Sequence, residues 1–124
     1  MKNIFYEGTV KIPYVNFNAE QGLLELKGRS TPENIEDTYR PLTEWVKEYV
    51  KNALDETVVN IHFEYFNSAT SKALVQMFQV LARLQNEDKK IIINWTYADD
   101  DSLEYGQDFE DIIGIPFNYI PEEE

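Results

Sequence analysis

Hydrophobic and polar positions change period several times along the chain, and each change marks an element boundary. Gly8 to Asn18, "GTVKIPYVNFN", is rich in β-branched and aromatic residues and predicts extended chain, with Pro13 at an edge position or a break. Ala19 to Gly22 then turns into Leu23 to Gly28, where Leu24 and Leu26 alternate with Glu25 and Lys27. The two runs predict a hairpin with one wet face. A helical period follows in Leu42, Trp45, Val46, Tyr49, Val50 and Ala53. Its approach, Ser30 to Asn34, predicts a cap at Ser30 or Thr31 with Pro32 at the first helical position. Pro41 is expected to end a first segment or to kink the helix, because it removes a hydrogen bond and crowds the preceding turn.

The second half repeats strand and helix. Val59, Ile61, Phe63 and Tyr65 fall on one face of Thr57 to Phe66, and Val58, Asn60, His62 and Glu64 on the other. Ala73, Leu74, Met77, Phe78, Leu81 and Leu84 then form a stripe that predicts an amphipathic helix over Thr70 to Gln85. After the turn "NEDKK", Ile91 to Ala98 gives a further strand. Asp99 to Gly114 predicts a loop and a short helix stopped by Gly114; "IPFNYI" offers a last strand, and the terminal "PEEE" a frayed tail. Strand–helix–strand units favour parallel pairing with right-handed crossovers. The expected fold is therefore α/β: a mixed sheet with an N-terminal hairpin and helices mainly on one face, since the strands alternate.

Composition narrows the function. A chain of 124 residues fits one domain, taken as residues 1–124, and 43% hydrophobic content supports a folded core. The absence of cysteine excludes disulfides, thiol nucleophiles and zinc–thiolate sites. No apolar run approaches the roughly 18 residues that span a bilayer, and the start lacks a secretory h-region, so a cytoplasmic protein is expected. A formal net charge of −12 opposes nucleic acid and anionic membranes as partners and leaves proteins with basic patches open.

Few motifs carry chemistry. No phosphate-cradling glycine run or dinucleotide fingerprint is present, and His62 is the single histidine. The acidic run Asp99 to Asp111 fails the calcium-loop pattern, because Leu103 stands at the third ligand position and residue 104 is not glycine. Neither a metal nor a cofactor is expected, and no catalytic residue is assigned. One cluster stands out: Ser68, Thr70 and Ser71, between a strand and a helix. Capping accounts for one of these hydroxyls. A phosphate that comes and goes is the other reading, since a helix N-terminus offers free N–H groups and a positive dipole end.

Three segments, "GRSTPEN", "YRPLTEWVKEYV" and "HFEYFNSATSKAL", together resemble the SiaC family of bacterial regulatory phosphoproteins. Gly28, Ser30, Pro32, Glu33 and Asn34 match the family's G-x-S-x-P-E-N pattern, and Tyr65, Asn67 and Lys72 match its strand-to-helix loop. The resemblance implies a non-enzymatic switch with a fold similar to anti-sigma-factor antagonist (STAS-like) domains. It implies a serine/threonine kinase of the anti-sigma-factor-kinase type, a PP2C-type phosphatase, and an effector such as a diguanylate cyclase, linking the protein to cyclic-di-GMP and biofilm. The family's phosphorylated residue follows the loop Asn, which places it on Ser68, where the best-understood branch carries Thr. Thr70 and Ser71 are the alternative acceptors. Asn67, Thr70, Ser71 and Lys72 are the expected partner-binding loop, with Asn67 shaping the turn and Thr70 or Ser71 capping the helix. The competing readings are a constitutive interaction module and a small hydrolase using the acidic run.

Overall fold

Six strands in sequential order form one mixed sheet in the computed structural model, which describes residues 1–123. They are β1 (Ile4–Tyr6), β2 (Tyr14–Asn18), β3 (Leu23–Ser30), β4 (Glu56–Phe66), β5 (Lys90–Tyr97) and β6 (Phe117–Pro121). The first two pairings are antiparallel, as the β2–β3 hairpin required, and the last three are parallel. Helices α1 (Ile35–Tyr49), α2 (Ser68–Leu81) and α3 (Asp100–Ile113) make the three crossovers. They pack side by side on one face of the sheet, α1 against α2 and α2 against α3.

Alternation along the strands explains that layering. Val15, Phe17, Leu24, Leu26, Val59, Ile61, Ile93 and Trp95 face the helices and are buried, meeting Leu42, Val46, Leu74, Met77, Phe78 and Leu81. The intervening residues face away from them. There Asn16, Glu25, Asn60, Asn94 and Asn118 stand in register across five strands. Asn16 and Asn60 each donate to the Glu25 carboxylate at 3.2 Å, Asn94 donates to Asn60 at 2.9 Å, and Asn118 donates to Asn94 at 3.1 Å.

Several boundaries differ from the sequence pattern. Strand β1 had no expectation behind it; it is three residues long and pairs only along β2. Helix α1 is capped by Asn34, whose side chain accepts from Asp37 N–H, and not by Ser30 or Thr31. Pro32 therefore precedes the helix. Pro41 lies inside α1 without ending it. Both Pro41 and Asp37, whose carbonyl loses its partner, are exposed, so the missing bond lies on the solvent side of the helix. Helix α2 begins at Ser68, earlier than expected, and tightens into a 3-10 segment over Ala82–Glu87. Helix α3 runs its full 14 residues and stops at Gly114, which adopts the left-handed conformation. Of the expected tail, Pro121 closes β6 and Glu122 N–H bonds the Tyr97 carbonyl at 2.8 Å; Glu124 lies outside the described residues.

Candidate functional site

The candidate loop sits where β4 hands over to α2, at the carboxyl ends of the parallel strands. Its geometry begins with an irregularity between β3 and β4. Gly28 pairs with Phe63 but Arg29 pairs with Tyr65, so Glu64 is an extra residue on β4. Gly28 has φ +92°, a conformation that a side chain would strain, which is the requirement this position places on the sequence. The bulge reverses the alternation. Tyr65, expected on the inner face, is 52% exposed, while Phe66 turns inward to Phe63, Trp95, Tyr105 and Phe109. Arg29 lies 5.5 Å over the Tyr65 ring and 3.4 Å from the Glu64 carboxylate, bracing the outside of the bend.

The next residue, Asn67, is the N-cap of α2: its side-chain oxygen accepts from Thr70 N–H at 2.9 Å. Thr70 and Ser71, one of which was expected to cap, lie within the helix. Thr70 instead sits in a buried hydroxyl knot with Ser30 and Tyr39. Thr70 O–H donates to the Ser30 carbonyl at 3.1 Å, and the same carbonyl accepts Asn67 N–H at 3.1 Å. The Ser30 hydroxyl lies 2.9 Å from Thr70 Oγ1 and 2.7 Å from Tyr39 Oη. Each hydroxyl has one proton, so the directions follow: Tyr39 donates to Ser30, and Ser30 donates to Thr70. Burial pushes the Tyr39 phenol up to about 12, with the Ser30 and Thr70 hydroxyls partly opposing the shift. The end of β3, the second turn of α1 and the start of α2 are thereby tied together.

This arrangement separates the three hydroxyls. Thr70 is fully buried and committed to the knot. Ser71 is half-buried. Ser68, the first residue of α2, is exposed. Lys72 is one turn further along, also exposed, and no carboxylate among the described residues lies within ion-pair distance of it. Ser30 and Tyr39 were not singled out for this site by their sequence. The available signal was Tyr39 itself, three residues before Leu42 and so on the buried stripe of α1.

Beside the loop runs a groove of about 820 Å³, whose floor includes Phe63, Phe66 and Trp95. One wall is the start of α2 with Ser68, Ser71 and Lys72; the other is the start of α3 with Asp99, Asp101 and Tyr105. The α3 wall is held by a capping box in which Asp99 accepts Ser102 N–H at 2.9 Å and Ser102 Oγ accepts Asp99 N–H at 3.2 Å. Trp95 Nε1 donates to the Ser102 carbonyl at 2.8 Å and locks α3 to β5. The acidic run is thus spread along a helix. Among the described residues no three His, Cys, Asp or Glu side chains gather as a metal site. His62, half-exposed on β4, lies 3.4 Å from Glu122 and away from the hydroxyls' groove. No helix among the described residues is long and apolar enough to cross a membrane.

Known proteins share this architecture. Apo-SiaC from Pseudomonas aeruginosa superimposes with a TM-score of 0.88 at 20% identity, covering 97% of this chain and 99% of that one. SiaC from the same organism, in complex with the diguanylate cyclase SiaD that it activates, gives 0.89 at 19% identity, covering 96% and 99%. An uncharacterized protein of Pseudomonas aeruginosa strain UCBPP-PA14 is 20% identical over 119 residues, 94% of each chain. Residues 6–122 match the SiaC family of regulatory phosphoproteins, and the chain belongs to that family.

Proposed function

We propose that this protein is a non-enzymatic switch in which a phosphoryl group on Ser68 governs docking to an effector. Residues 1–124 act as one regulatory domain in the cytoplasm, in a partner-switching circuit of the anti-sigma-factor-antagonist type. A serine/threonine kinase writes the mark and a PP2C-type phosphatase removes it. The effector is a diguanylate cyclase, so that the phosphorylation state sets cyclic-di-GMP output and with it aggregation or biofilm. The family membership and the SiaC–SiaD complex support the effector class.

The observation that carries the choice of Ser68 is its exposure at the first position of α2, beside a buried Thr70 that no kinase reaches without opening the helix start. A phosphoryl group there brings about −1.5 to −2 charge and three acceptor oxygens. The free N–H groups of the first turn and Lys72, four residues on, receive it. Docking at the same loop then meets both bulk and charge.

Intact-mass measurement of the protein from its native host, with fragment mapping of "YFNSATSK", tests the site. One added phosphate on Ser68 is the expected result; a phosphate confined to Ser71, or none with the kinase active, overturns it. With the effector in hand, Ser68→Ala is expected to bind as the wild type does and Ser68→Glu to bind at least about tenfold more weakly, a loss of roughly 1.4 kcal/mol. Equal binding by both variants removes the switch from this residue.

A further inference from the structure

The groove between the starts of α2 and α3 has an aromatic floor and two walls of different electrostatic character. Phe66 is half-buried, Tyr105 is 52% exposed at the rim, and Trp95 closes the bottom. Exposed aromatic surface beside a concave floor is the usual anchor site for a partner side chain. The α3 wall is anionic: Asp99, Asp100 and Asp101 surround its first turn, and Glu64 stands at the groove's edge. The α2 wall is the reverse. Its first turn holds no acidic residue, unlike those of α1 and α3, and it contributes Lys72.

We propose that this groove docks a segment of a protein partner built as an apolar or aromatic anchor between an acidic and a basic residue. The anchor fills the floor beside Tyr105. The acidic residue faces Lys72 and the start of α2, and the basic residue faces Asp99 and Asp101. A net charge of −12 favours the basic flank at long range, while Lys72 fixes the orientation at contact. Resting on the Ser68 reading, the groove also gives phosphorylation a specific target. The phosphoryl group takes the helix-start position that the partner's carboxylate would occupy, and it neutralises the one cation on that wall. Repulsion is then directed at the acidic flank and not at the partner as a whole.

The full-length protein can be tested with a phage-displayed library of random linear peptides, followed by synthesis of the enriched sequences and calorimetric titration. Enriched peptides are expected to share an apolar anchor with opposite charges on its two sides. Their affinity should fall by about tenfold or more on Tyr105→Ala, an exposed position whose loss leaves the core intact. Selection on Lys72→Glu should return the same anchor with a basic residue in place of the acidic one, and Asp101→Lys should reverse the other flank. Failure to enrich any peptide sensitive to Tyr105→Ala, or selections on Lys72→Glu that keep the acidic flank, would overturn the proposal. The two readings fail separately. Phosphate on Ser68 with no Tyr105-dependent peptide defeats only the groove, whereas such peptides binding equally to wild type and Ser68→Glu defeat only the switch.

Discussion

Tyr39 shows how one residue's chemistry reaches the loop between β4 and α2. Its phenol is buried and donates to Ser30, which in turn holds Thr70 and, through its carbonyl, Asn67. The neutral phenol is the form that fits, and its pKa is pushed up to about 12 from 10.0, chiefly by burial. Below pH 10 folded and unfolded chains both keep the proton, so the stabilisation is fully present. Between pH 10 and 12 the unfolded chain releases it first, and stability falls by an amount on the order of 3 kcal/mol. Tyr119, raised in the same direction by burial and by its hydrogen bond to Glu110, adds to that fall. Tyr39→Phe should cost about 1 kcal/mol at pH 7 and make the alkaline decline shallower, as urea melts at pH 7 and pH 11 would record. An unchanged decline would mean that Tyr39 does not carry it. At this scale part of the candidate site's make-up is visible in the sequence. Asn67, Ser68 and Lys72 fall within six residues and directly follow a strand. The Ser30 and Tyr39 partners come from distant segments, and a hydroxyl that could cap a helix looks the same as one that ends a strand.

Periodicity located five of the six strands and all three helices, and it failed where two principles competed. Bulging at Glu64 reverses the face on which Tyr65 and Phe66 lie, and an unbroken alternation of apolar residues gives no sign of it beyond Gly28 on the neighbouring strand. Pro41 breaks a hydrogen bond at the solvent side of α1, where the cost is small enough for packing of Leu42, Trp45, Val46 and Tyr49 to override it. Close packing also sets a condition on α3 that helix propensity alone would contradict. Ala is normally preferred to Gly inside a helix by about 1 kcal/mol. A Cβ at Gly106, however, would stand 2.7 Å from the Trp95 ring, and Trp95 is 2% exposed with its indole N–H tied to Ser102. Forcing that contact should cost about 1–3 kcal/mol, more than the propensity gain. Gly106→Ala is therefore expected to lower stability and to disturb the groove floor, measured by chemical denaturation and by the intrinsic fluorescence of Trp95 in a Trp45→Phe background. A more stable Gly106→Ala would show that α3 can shift without loss.

At the scale of the whole molecule, charge sets a further expectation whose sign follows from distance. The chain has 23 Asp and Glu against 11 Lys and Arg. Every ion pair among the described residues has at least one side chain well open to solvent, including Lys11–Glu33 at 2.6 Å and Arg40–Glu36 at 2.9 Å. Such pairs are worth about 0–1 kcal/mol each, and at contact distance salt screens them incompletely. The unpaired excess of carboxylates repels across the surface over separations near or beyond the Debye length, about 10 Å at 0.1 M. Long-range repulsion is therefore the interaction that added salt removes first. Raising sodium chloride from about 10 mM to about 200 mM should raise Tm by a few degrees, roughly the shift that 1 kcal/mol produces in a chain of this length. The same salt should slow association with a partner that presents a basic flank, because it screens the field that steers the encounter. The two measurements separate fold from function: stability rises with salt while the association rate falls. A Tm that drops instead would mean that the surface ion pairs outweigh the acidic excess in holding this fold together.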